Sequence, residues 1–111
     1  MGCCQMRSTN IDPVLKAIAD PKRRQILDLL AEEDLPVGRI AARFKISRPA
    51  VIKHLRVLRT AKLISVRRCG RQRFQCLNAA PLRGVEAWVS QFETLWDDNL
   101  RRLKMQVEAD L

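Results

Sequence analysis

Thirteen of the 21 Lys and Arg residues in this 111-residue chain lie between Leu35 and Val85, and none of its 12 Asp and Glu residues does. The chemistry open to such a block is anion binding. Its cations repel one another until a polyanion lies against them, and duplex DNA offers one charge per ~1.7 Å of axis. The placement divides the functional candidates into two groups. Ser47, Arg48, Pro49, Ala50, Lys53, His54 and Arg56 fall in a helical segment, and Arg67, Arg68, Arg71 and Arg73 bracket Gly70.

Four thiols and one imidazole are the other reactive groups. Thiolates favour soft ions such as arsenite or Cu(I), so Cys3 and Cys4 with a third thiol could make a three-sulfur site. Cys69, between Arg68 and Gly70-Arg71, could ionise and oxidise readily. Cys76 falls deeper in the same segment. The spacing is not that of a structural zinc site, and no resident metal or cofactor is expected. Met6 stands where a myristoylation signal wants Ser or Thr. One His, no acid within the basic block, no phosphate-cradling Gly loop and no nucleophile beside a base argue against an enzyme.

A chain of this length makes one domain with a modest core. No apolar run approaches the ~18 residues of a membrane span, and residues 1–10 lack the apolar core of a secretory signal. A cytoplasmic protein without membrane contact is expected, with its thiols reduced.

The elements that must position these groups follow from periodicity. Residues 1–10 read as a flexible tail, and residues 11–111 as a single domain. Asp12-Pro13 and Asp20-Pro21 each pair a capping acid with a Pro suited to a first helical turn. Val14, Leu15, Ile18 and Ala19 give the first helix its apolar face, and Ile26, Leu27, Leu29 and Leu30 give one to the second. Pro36 opens a third helix with Val37, Ile40, Ala41 and Phe44 inward. After Lys45-Ile46-Ser47 a fourth runs over about 47–60, capped by Ser47, with Val51, Leu55 and Leu58 inward. From about 64 to 77 the period becomes that of a strand pair, with Ile64, Val66, Phe74 and Cys76 alternating with polar residues and a turn at Cys69-Gly70. A last helix is expected over about 81–109, a single rod of ~42 Å. Its apolar stripe includes Val85, Trp88, Val89, Phe92, Leu95, Trp96, Leu100 and Leu103. So long an apolar stripe predicts a dimer contact, joined by Val14, Leu15 and Ile18 from the first helix.

A short helix, a tight turn and a second helix with polar residues at its start form the helix-turn-helix order. The second helix can enter a major groove ~12 Å wide. There Arg48 is the candidate for guanine O6 and N7, Ala50 and Ile52 for thymine methyl groups, and Lys53 and Arg56 for phosphates. The four hairpin arginines suit a minor groove.

The run from Ala17 to Leu27, the run from Ser47 to Leu58, and Gly70-Arg71 followed by Phe74 and Leu77 together resemble the ArsR/SmtB family of winged-helix repressors. The resemblance spans about residues 12–78. It implies a mostly α winged helix-turn-helix fold with a small β-hairpin wing, dimeric through its terminal helices. It also implies a repressor on a near-palindromic operator, released by a signal. Metal-sensing members carry a Cys-x-Cys pair entering the third helix, where this chain has Pro36 and Gly38. Others bind zinc through His and carboxylates on the last helix, whereas the one histidine here is His54. The chain is more similar to the subset with a Trp-rich last helix, which leaves its inducer unidentified. The reading is therefore a sequence-specific DNA-binding regulator, homodimeric and autoregulatory. Its alternatives are a thiol-based sensor repressor and a non-specific architectural DNA binder.

Overall fold

The computed structural model describes the backbone of residues 10–110 and side chains as far as Lys104. Within that range six helices and one hairpin follow in order. They are α1 (Asp12–Ile18), α2 (Pro21–Glu32), α3 (Val37–Phe44), α4 (Arg48–Thr60), β1 (Ile64–Cys69), β2 (Gln72–Leu77), α5 (Leu82–Ser90) and α6 (Glu93–Asp110). Cys3 and Cys4, and with them the three-sulfur site, lie outside the described residues.

The joint between α1 and α2 explains the run Asp20-Pro21-Lys22-Arg23-Arg24. Asp20 Oδ1 accepts the N–H groups of Lys22 and Arg23 at 2.7 and 3.3 Å, capping α2. Arg23 and Arg24 reach backwards to the end of α1. Arg23 donates to the carbonyls of Ala17 (2.6 Å) and Lys16 (3.1 Å), and Arg24 to those of Ile18 (2.7 Å) and Ala19 (3.2 Å). Three side chains within a run of five residues thus satisfy backbone groups that two helix ends leave open. Burial alone would raise the Asp20 pKa, but the two N–H groups, Arg23 and His54 together hold it below the usual carboxylate value.

At α1 the expected cap shifts by one residue. Ile11 holds the N-cap position and offers no side-chain bond, while Asn10 Oδ1 accepts the Asp12 N–H at 3.1 Å. Pro13 still falls in the first turn, where it costs no hydrogen bond. Ala17, not Ala19, completes the buried face, because the helix ends at Ile18. Val14 is only 5% exposed and belongs to the protomer's own core. It is therefore removed from the expected dimer contact. Ile18 and Val85 also pack in part against that core.

The core is centred on α2, α3 and α4, with Ile26, Ile40, Val51, Leu55, Leu58 and Leu63 closed to solvent. The end of α4 is a Schellman motif. Leu63 N–H bonds to Leu58 O at 3.0 Å and Lys62 N–H to Arg59 O at 2.8 Å, with Lys62 in the left-handed region at φ 62. Leu58 and Leu63 supply the apolar contact that accompanies such a motif.

The hairpin differs from expectation by one residue on each strand. Ile64 faces Leu77 and Cys69 faces Gln72, so the loop is Gly70-Arg71 and not Cys69-Gly70. Gly70 has φ 63 while Arg71 is not among the positive-φ residues, which is the pattern of a two-residue type II′ loop with Gly first. A backbone bridge adds Leu35 to the sheet, with Leu35 N–H to Gln75 O at 3.2 Å and Gln75 N–H to Leu35 O at 2.8 Å. This contact draws Gln75 inward to 3% exposure and leaves Val66 at 40%. The inward face therefore holds a glutamine that alternation alone would have placed outside.

The last helix is not one rod. Gln91 N–H bonds to Trp88 O and Phe92 N–H to Val89 O, three residues back instead of four, and the chain tightens there before α6 resumes. Gly84 lies so close to α1 that an added Cβ would stand 2.9 Å from Ile11 Cγ2. Contact with α1 thus fixes α5, whereas every side chain from Glu93 to Lys104 is exposed.

Candidate nucleic-acid interface

Lys45 makes the turn between α3 and α4. It takes the left-handed conformation at φ 57, a position usually given to Gly, and its N–H bonds to Ala41 O. The chain then reverses through Ile46, whose N–H also reaches Ala41 O at 3.2 Å. Ser47 Oγ accepts the Ala50 N–H at 3.2 Å and starts α4. The capped helix buries Val51, Leu55 and Leu58 and exposes Ser47, Arg48, Pro49, Ile52, Lys53 and Arg56. Pro49, Ile52, Lys53 and Arg56 share one outward surface with the edge of Ala50.

Three of the expected contacts are placed differently. Ala50 is half-buried. His54 is half-buried as well, on the side of α4 that approaches Asp20. The Arg48 guanidinium lies back across Gly38 in the first turn of α3, where a Cβ would meet Nη2 at 2.7 Å and Cζ at 3.2 Å.

The wing arginines fall into two classes. Arg67 donates to Asp34 Oδ2 at 3.1 Å and lies over the Phe74 ring at 5.0 Å. The Asp34 bond, and after it a bond with Cys76, raises the Arg67 pKa. Arg68 and Arg73 face each other directly across the ladder, with Arg71 in the loop beyond. Like charges so placed destabilise a bare hairpin, and among the described residues none of the three has a carboxylate partner. The tip is a concentrated positive charge that an anion would relieve. Arg59 Nη2 reaches Gln75 Oε1 at 3.4 Å and ties α4 to the wing.

Sequence reasoning missed Gln75, Asp34 and Gly38. The signal for Asp34 was available, since it is the last acid before the block. Gln75 and Gly38 are significant only through contacts distant in sequence.

The thiols Cys69 and Cys76 are both free, at opposite ends of the ribbon. Their ladder positions differ by four residues, ~13 Å along a strand, too far for a bond. Burial, and after it Asp34, raises the Cys76 pKa, with Arg67 opposing. A thiol held protonated is a poor nucleophile and a poor metal ligand. Among the described residues no group of three or more His, Cys, Asp or Glu is placed to hold a metal.

A family model described as "Bacterial regulatory protein, arsR family" matches residues 20–66, from the Asp20 cap into β1. The chain is 41% identical over 87 residues to the transcriptional repressor SdpR of Bacillus subtilis (strain 168), covering 78% of this chain and 97% of that one. Among solved structures, an ArsR-like transcriptional regulator from Rhodococcus sp. RHA1 superposes with a TM-score of 0.71 at 26% identity, covering 91% of this chain and 94% of its own. A homodimeric winged helix-turn-helix DNA-binding domain from Mycobacterium bovis, in solution, superposes with a TM-score of 0.64 at 26% identity, covering 85% and 88%.

Proposed function

This chain belongs to the arsR family of bacterial regulatory proteins, and as such is a DNA-binding transcriptional regulator; from that premise we propose that it is a homodimeric, cytoplasmic repressor of a near-palindromic operator near its own gene. The observation that carries the reading is the pairing of a capped, outward-facing α4 with a wing tip of three arginines lacking acidic partners. α4 enters the major groove, with Ile52, Lys53 and Arg56 at the centre of its outward face and Ser47 and Pro49 at its leading end. Arg68, Arg71 and Arg73 reach the adjacent minor groove or its phosphates. Arg67 is the reserve cation of the set, since DNA must compete with Asp34 for it.

A dimer is supported from two sides. Trp88, Leu95, Trp96, Leu100 and Leu103 are 46% to 63% exposed, a larger apolar surface than a soluble monomer ordinarily shows. Leu15 of α1 and Trp88 of α5 line one groove that runs on toward this surface. The relative from Mycobacterium bovis is itself described as homodimeric. A second copy would place two α4 helices on one side of the assembly, as a two-fold operator requires.

Fluorescence anisotropy at fixed physiological salt tests the reading, using a duplex from just upstream of the gene and a scrambled duplex of equal length. A preference of about 10³-fold or more is expected. Equal affinity for the two would fit an architectural binder and contradict operator recognition at that locus.

A further inference from the structure

We infer that Gly38 is a positioning residue for DNA binding: its missing side chain seats the Arg48 guanidinium beside α3, where it grips a backbone phosphate instead of reading a base. The inference rests on the DNA-binding reading and gives one residue of that site a different role. Arg48 is the first residue of α4, and its side chain has two directions open to it. One runs forward to the groove floor, as expected for a guanine contact. The other runs sideways onto α3, and the structure takes this one. Nη2, Cζ and Nε all lie within 2.7–3.5 Å of the point where a Cβ on residue 38 would be. Any residue other than Gly would displace the guanidinium from this place.

The seat fits a phosphate ligand for three reasons. In a helix-turn-helix the first helix crosses the DNA backbone while the second lies in the groove, so a cation drawn onto α3 is drawn toward phosphates. A guanidinium offers a planar fork that matches phosphate oxygens, and its weak hydration suits contact with a bare backbone. Among the described residues Arg48 makes neither an ion pair nor a side-chain hydrogen bond, and no acid occurs between Leu35 and Val85. The guanidinium lies in the space that Gly38 leaves open, exposed and unpaired, and is left for an incoming anion. Base reading then falls to residues farther along α4, with Lys53 at the centre of the outward face.

The test is a two-residue cycle in the full-length protein. Wild type, Gly38→Ala, Arg48→Ala and the double variant are titrated by anisotropy over a salt series on both duplexes. Arg48→Ala is expected to weaken both complexes by the same factor, about tenfold, and to flatten the salt dependence by about one unit. Gly38→Ala should give part of that loss in the wild type and none in the Arg48→Ala background. Its melting temperature should match or exceed wild type, because Ala is the better helix former. A Gly38→Ala effect that persists without Arg48, or that is absent with it, overturns the positioning role. A loss from Arg48→Ala confined to the specific duplex restores base reading. A wild type that binds neither duplex would instead overturn the DNA-binding reading itself.

Discussion

Two lysines carry backbone strain that a different residue would relieve. Lys45 and Lys62 both occupy the left-handed region, one at the turn into α4 and one at its exit. The left-handed conformation costs an L-residue roughly 1–2 kcal/mol, and Gly avoids the cost. Lys45→Gly is therefore expected to stabilise the fold by about 1 kcal/mol, seen as a rise of a few degrees in a reversible thermal melt. A fall in melting temperature would mean that the Lys45 side chain makes a contact outweighing the strain. These positions were illegible in the sequence, because a turn reader looks for Gly or Asn and finds Lys. The Ser47 cap and the Asp20 cap were legible, since both act within three residues of themselves. Gly38 and Gln75 were not, since each takes its meaning from a residue at least ten positions away.

Among the elements, the wing shows how local register redistributes function. Its existence followed from alternation, but its turn did not, because Cys69-Gly70 and Gly70-Arg71 both offer Gly to a two-residue loop. The observed loop puts Gly first and places Arg68 opposite Arg73, while Arg67 faces Phe74 beside Asp34. The arginines that looked equivalent in sequence are thus expected to differ in binding. Arg71→Ala should flatten the salt dependence of DNA binding by about one unit, whereas Arg67→Ala should change it much less, its charge being already paired. Equal slopes for the two variants would mean that DNA displaces Asp34 fully. The division of the last helix into α5 and α6 was equally hidden. Its apolar stripe continues through the break, and no Gly or Pro marks it.

For the molecule as a whole, the exposed half of the stripe is the feature a single protomer leaves unexplained. Glu93 to Lys104 has no buried side chain, although α6 extends ~27 Å at 18 residues. Trp88→Asp with Trp96→Asp should yield a monomer by sedimentation velocity at micromolar protein, with weakened DNA binding, because both half-sites must be held together. A double variant that still sediments as a dimer would place the interface elsewhere. No helix among the described residues is long and apolar enough to cross a membrane. Association between copies is the proposed cover for this face. Two such protomers together are proposed to read a two-fold DNA sequence. Selection of bound duplexes from a random-sequence pool by the full-length protein tests that claim most directly. Enrichment of two inverted half-sites, their centres one helical turn of about 10 base pairs or a multiple apart, is the predicted result. A pool that stays random while the protein binds it tightly would contradict the claim.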